Sequence, residues 1–152
     1  MIAQCSEITK ALADFYWPSL KGRSAMDIGC STGSLLYELQ QKYDCQVMGV
    51  ELQQEAVEIA KAGINGNVLQ MDVDSSEFLE KKYDVVTLTG VIEHVVQPNR
   101  LSKRVSDLLK DGGVIMIQTP NAESLVARLL NRYWPALDPV EHIPIHSKKP
   151  SA

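Results

Sequence analysis

Cysteine is scarce in these 152 residues. The three present, Cys5, Cys30 and Cys45, form no CxxC pair and do not cluster with histidine, which excludes a disulfide framework or a zinc site as the organising element. Charge of one sign is also lacking. Fifteen Lys and Arg against 19 Asp and Glu leave a formal net charge of −4 and a pI near 5.3, so nucleic acid is not an expected partner. No apolar run approaches the roughly 20 residues that cross a bilayer. The start, Met1-Ile2-Ala3-Gln4-Cys5-Ser6-Glu7, lacks the basic-then-apolar order of a secretory leader, and the chain reads as cytoplasmic. Internal repeats, low-complexity tracts and linkers are absent. What is abundant is apolar: 45% of residues, enough for one compact domain around one core.

That apolar content is patterned as alternating helices and strands. Ile2, Cys5, Ile8, Leu12 and Phe15 recur at helical spacing, and Trp17-Pro18 closes the segment. Ala25-Met26-Asp27-Ile28 makes a short strand running into a glycine loop, after which Leu35, Leu36, Leu39 and Tyr43 mark a helix. Gln46–Val50 is a second strand ending at Glu51, with Ala56, Ile59 and Ala60 placing a helix before Gly63. Asn67–Met71 ends at Asp72, and Tyr83–Thr89 has the β-branched content of a strand buried on both faces. A helix is expected from Pro98 to Lys110, with Leu101, Val105, Leu108 and Leu109 on one face. Asp111-Gly112-Gly113 then turns the chain into a fifth strand, Val114–Gln118. Leu125, Leu129 and Leu130 suggest a last helix. Strands alternating with helices need crossover connections, which means a doubly wound, mostly parallel sheet of about five strands with helices on both faces.

Ligands of such sheets bind beyond the carboxyl ends of the strands. The polar residues of interest stand there. Gly29 and Gly33 flank a tight turn whose Gly-x-x-x-Gly spacing departs from GxGxxG, and Asp27 precedes it. A carboxylate there would repel a pyrophosphate at the helix N-terminus and suits a cationic or zwitterionic ligand. Glu51, about 24 residues on, stands where nucleotide-binding folds put a carboxylate for the ribose hydroxyls. Asp72 is placed to receive an adenine amino group, with the Val73 amide for a ring nitrogen. Cys30, with no base beside it in sequence, reads as a small residue fitting a turn.

Asp27-Ile-Gly-Cys-Ser-Thr-Gly33, Glu51, Met71-Asp72-Val73, Asp84-Val-Val-Thr-Leu-Thr-Gly-Val-Ile-Glu-His-Val95 and Leu109-Lys-Asp-Gly-Gly-Val-Ile-Met-Ile-Gln-Thr-Pro-Asn121 together resemble the class I S-adenosylmethionine-dependent methyltransferases. The branch most similar holds the ubiquinone-biosynthesis O-methyltransferases. The resemblance covers about residues 20 to 146. It implies S-adenosylmethionine as cofactor, with Asp27, Gly29 and Gly33 at its methionine part, Glu51 at the ribose, Asp72 at the adenine, and Thr89, Gly90 and Val91 beneath it. Cys30, Ser31 and Leu52 complete the expected cofactor site. Ser31 stands where the family commonly has glycine. The implied reaction is methyl transfer from an activated sulfonium to a small-molecule acceptor, a hydroxyl in that branch, with alignment and desolvation as the protein's main task. His94 is a candidate base for a hydroxyl acceptor, and equally a residue that fixes its loop. Trp134, Pro139 and His142 resemble the segment over the acceptor side. Glu93-His94 is similar to part of a metal set in other methyltransferases, but Gly90 and Val95 stand where the remaining ligands would fall, so no metal is expected.

The family's full fold has seven strands, and its last two, antiparallel ones find no counterpart after Asn121. Residues 1–133 are therefore expected to form the cofactor-binding domain and 134–152 an irregular, proline-punctuated tail, as in a truncated or degenerate product. The fifth strand would then be an exposed edge open to a homodimer or partner chain. Two other readings remain: a weak or inactive cofactor-binding module that needs a partner, and an NAD-dependent oxidoreductase, against which the loop spacing and Asp27 speak.

Overall fold

The computed structural model describes residues 2–15, 20–65, 67–72, 82–121 and 124, with side chains of the first helix described from Glu7 to Asp14. Among the described residues four α-helices, α1 (Ile2–Phe15), α2 (Ser34–Tyr43), α3 (Gln54–Gly63) and α4 (Pro98–Asp107), accompany five strands. These are β1 (Ser24–Ile28), β2 (Gln46–Glu51), β3 (Asn67–Gln70), β4 (Tyr83–Thr89) and β5 (Leu109–Gln118). Every pairing is parallel, in the order β3-β2-β1-β4-β5. The expected Rossmann-like sheet is present, and its strand order reverses between β1 and β4, where the carboxyl ends leave a crevice.

Alternating side chains divide the core between the two faces of the sheet. Ala25, Val47 and Val85 pack with Ile8 and Leu12 of α1, Leu35, Leu36 and Leu39 of α2, and Val57 and Ala60 of α3. Met26, Ile28, Val50, Val86 and Leu88 pack on the other face with Leu101, Val105 and Leu108. Each fully buried Val, Leu, Ile or Met side chain among them contributes about 1.5–3 kcal/mol. Among the described residues, one polar pin joins α1 to α2: Thr9 Oγ1 donates to Glu38 Oε1 at 2.9 Å, and Lys42 pairs with the same carboxylate.

The expectations for two helices need correction. On α3 the buried residues are Ala56, Val57 and Ala60, whereas Ile59 is 59% exposed, because the helix is rotated so that Val57 meets the sheet. Helix α4 ends at Asp107, short of Lys110. Leu109 pairs with Tyr83 as the first residue of β5, so strand pairing overrides the helical apolar spacing. Asp111-Gly112-Gly113 accordingly lies inside β5. Between the Tyr83–Leu109 and Val85–Val114 pairs the ladder shifts register, and Lys110–Gly113 form a bulge opposite Asp84, with Gly112 at φ +74°.

That bulge ties the amino end of the sheet together. Lys110 Nζ donates to Asp84 Oδ2 at 2.8 Å and to Ser24 Oγ at 3.0 Å. The Ser24 amide (2.8 Å) and hydroxyl (2.7 Å) also donate to Oδ2, and Arg23 reaches Oδ1 at 3.2 Å. Burial works to raise the Asp84 carboxyl, but the hydrogen bonds from Lys110, Ser24 and Arg23 outweigh it and hold the group well below the usual carboxylate range.

Candidate functional site

At the opposite end of the strands lies a cavity of about 870 Å³. Gly29 and Ser31 border it from the β1 loop, Val50 to Gln53 from the end of β2, Met71 and Asp72 after β3, and Thr89 to Val91 after β4. His94 to Gln97, Arg100 and Leu101 close the far side; they come from the end of a 3₁₀ turn (Ile92–His94), the short link after it and the first turn of α4, opened by Pro98. Eight of the expected cofactor residues thus share one wall: Gly29, Ser31, Glu51, Leu52, Asp72, Thr89, Gly90 and Val91. His94 faces the same cavity from that far side, exposed. Val73, Trp134, Pro139 and His142 lie outside the described residues.

Asp27, Cys30 and Gly33 stand behind this wall. A Cβ on Gly33 would collide with Ile64 Cδ1 and come within 3.0 Å of Ala60 Cβ, so this glycine, at φ +78°, lets α2 start hard against α3. Gly29, at φ +71°, faces Val91 in the same way, so the β1 loop packs directly on the β4 loop. Cys30 is buried against Gly49, where a Cβ would lie 2.7 Å from its Sγ. Burial first, then the charges of Asp27 and Glu51, push its thiol up to about 12, so it is no nucleophile at neutral pH.

Glu51 organises the mouth. Its Oε2 accepts the Ser31 amide at 2.9 Å, and Oε1 accepts the amides of Leu52 (2.8 Å) and Gln53 (3.0 Å). One carboxylate therefore holds the glycine loop and the β2–α3 turn in register. Ser31 sits at φ +49°, a left-handed conformation that glycine adopts more readily. Leu52 is 64% exposed and turns an apolar surface to the cavity.

Asp27 is only 3% exposed, and Thr87 Oγ1 donates to its Oδ1 at 2.6 Å. Burial raises its carboxyl to about 7, against the lowering effect of the Thr87 bond and with a further push from Glu51. Glu93 is buried under the 3₁₀ turn and accepts Thr119 Oγ1 at 3.1 Å. Nearby, Thr89 Oγ1 and Gln118 Oε1 are buried with no hydrogen-bond partner among the described residues. The Thr87 partnership, the 3₁₀ turn and the α4 wall were not expected from sequence; Pro98 marking a helix start just beyond a strand end was the available signal for the wall.

Comparison with known proteins agrees with this geometry. A family model described as Methyltransferase domain matches residues 1–149. A ubiquinone biosynthesis O-methyltransferase of Coxiella burnetii (strain Dugway 5J108-111) is 31% identical over 108 residues, covering 68% of this chain and 46% of its own. Among solved structures, the sugar N-methyltransferase KedS8 from Streptoalloteichus sp ATCC 53650 superposes with a TM-score of 0.63 at 27% identity, over 77% of this chain and 48% of its own. Coclaurine N-methyltransferase bound to N-methylheliamine and SAH shares the fold, with a TM-score of 0.64 at 21% identity over 74% of this chain and 35% of its own. The chain spans less than half the length of the curated relatives it matches first.

Proposed function

Because this chain belongs to the methyltransferase domain family, we propose that it binds S-adenosylmethionine at the carboxyl ends of β1 to β4 and methylates a small-molecule acceptor at a hydroxyl. The observation that carries the reading is the shared wall of one cavity, in which Gly29, Ser31, Glu51, Leu52, Asp72 and Thr89 to Val91 converge. The donor set fits the cofactor: carboxylates for ribose hydroxyls and an adenine amino group, an apolar Leu52 flank for a purine, and an acidic rather than cationic glycine loop. The cofactor supplies an activated methyl group; the chain supplies position and dryness.

In this reading Glu51 accepts a ribose hydroxyl. A carboxylate offers about four acceptor directions, and three are already engaged by amides, so Glu51 holds the loop and the ligand together. Asp72 takes the adenine amino group and Leu52 covers the ring. Asp27, with Gly29, Cys30 and Gly33 shaping the loop above it, serves the methionine part. His94, on the cavity wall, takes the proton of the acceptor hydroxyl. Oxygen is favoured as acceptor because the relatives at 31% identity are O-methyltransferases. Ile115 and Ile117 stand exposed on β5, which pairs only with β4 among the described residues. A second copy of the chain at that edge is expected to show as a dimer in sedimentation.

Titration calorimetry with S-adenosylhomocysteine and with NAD tests the binding half: micromolar binding of the first and none of the second is expected, and failure of the first to bind would sink the reading. Transfer of a labelled methyl group to hydroxyl acceptors tests the catalytic half.

A further inference from the structure

In the middle of the sheet, on the face covered by α1 and α2, the apolar pattern is broken by two paired residues. Asp27 of β1 and Thr87 of β4 are register partners, where the pair before them, Ala25 and Val85, is wholly apolar and fully buried. Valine would fill the Thr87 site as well as threonine does, and Thr87 is 0% exposed, so its hydroxyl is not there for water. That hydroxyl carries one proton and has two acceptors in reach, Asp27 Oδ1 at 2.6 Å and the Met26 carbonyl at 3.3 Å. The shorter contact has the length of a charge-assisted O–H···O⁻ bond, so the proton is given to the carboxylate. Ile28 and Gly29, the next two residues, border the cavity.

We propose that Thr87 is a positioning residue for cofactor binding: by donating its only proton to Asp27 Oδ1, it orients that buried carboxylate and favours its ionised form, so that Asp27 offsets the cationic amino group at the methionine end of the cofactor. This rests on the reading of the cavity as an S-adenosylmethionine site. The electrostatic surroundings leave Thr87 as the decisive donor. Among the described residues, the titratable groups coupled to Asp27 are Glu51 at the end of β2, which opposes its ionisation, and the Cys30 thiol of the glycine loop, which stays protonated. From β4 comes only the Thr87 hydroxyl. Without it, burial and Glu51 act unopposed, the carboxyl rises further still, and it stays protonated at neutral pH.

The test compares two ligands that differ at the methionine end. S-adenosylhomocysteine carries the amino acid group, and 5′-methylthioadenosine lacks it. In calorimetry at pH 7, T87V is expected to bind S-adenosylhomocysteine about ten- to a hundredfold more weakly than the native chain while its methylthioadenosine affinity stays within about twofold. T87S, which keeps the hydroxyl, restores binding. The loss in T87V shrinks as pH rises towards 9, because Asp27 is then ionised without help. Native-like binding of S-adenosylhomocysteine by T87V overturns the proposal, as does an equal loss for both ligands, which would make Thr87 a residue of the fold alone. A native chain that binds neither ligand overturns the cavity reading itself, a separate and recognisable failure. Should T87V not fold, T87C, of similar size and with a far weaker donor, takes its place under the same criteria.

Discussion

Asp84 and Asp27 are buried carboxylates on adjacent strands, at opposite ends of one sheet, and they have been treated oppositely. At the amino end, Asp84 receives Lys110, Arg23 and both the amide and hydroxyl of Ser24, and is held as an anion. At the carboxyl end, Asp27 receives one side-chain hydroxyl, is pushed up to about 7, and has a second carboxylate, Glu51, as a neighbour. The sheet is thus electrostatically satisfied where it only has to hold and left unsatisfied where a ligand could complete it. The orphan atoms of Thr89 and Gln118 fall on the same side of that division. Uncompensated burial is a cost that natural proteins keep where function needs it.

The division can be broken from either end. The largest effect is expected from E51A, which removes the acceptor of three amides and of the proposed ribose contacts. It should lower S-adenosylhomocysteine affinity at least about a hundredfold in calorimetry, since bonds to a charged group are worth about 1.5–3 kcal/mol each. Next, D84A should lower unfolding stability by about 2–3 kcal/mol in denaturant titration, because Ser24 and Lys110 lose their shared acceptor, while ligand affinity stays unchanged. If D84A weakened binding as strongly as folding, the two ends would not be separable.

A smaller effect, about 1–2 kcal/mol of stability, is expected for G33A, which forces a side chain into a left-handed conformation and against Ile64. Trimming that neighbour in G33A/I64V should recover part of the loss. The smallest expected effect concerns pH. A carboxyl raised from 3.8 to about 7 stabilises the ligand-free fold fully below 3.8, and that contribution is lost as pH rises through 7. Between pH 6 and 7 the ligand-free chain should lose about 1 kcal/mol that D27N does not lose. Asp84 acts with the opposite sign: its contribution is present above 3.8 and disappears only in stronger acid, as pH falls through its lowered value.

Much of this was legible in the chain. Tyr83–Thr89 was readable to the residue because a strand buried on both faces is rich in β-branched residues along its length. That Glu51 and Asp72 would border a cavity was readable because the strand ends of a parallel sheet open onto its crevice. Ile59 misled because Ala56, Val57 and Ala60 supply an equally regular helical stripe one step away, and only the packed sheet selects between them. The Lys110–Gly113 bulge was hidden because Asp-Gly-Gly announces a turn without saying whether the strand begins before or after it. Nothing local could couple Thr87 to Asp27, sixty positions away. The packing of Gly33 against Ala60 and Ile64 could not be read from the chain, because those residues stand about thirty positions on, at the end of α3.

The β5 bulge separates the length of that strand from its alignment. Val85 to Thr89 keep their pairing with Val114 to Gln118 whatever happens opposite Asp84, so residues gained or lost among Asp111, Gly112 and Gly113 need not shift Gln118 along the cavity end. This gives the sheet an expansion joint on the side away from the ligand, where insertions and deletions can accumulate as long as one cation still reaches Asp84.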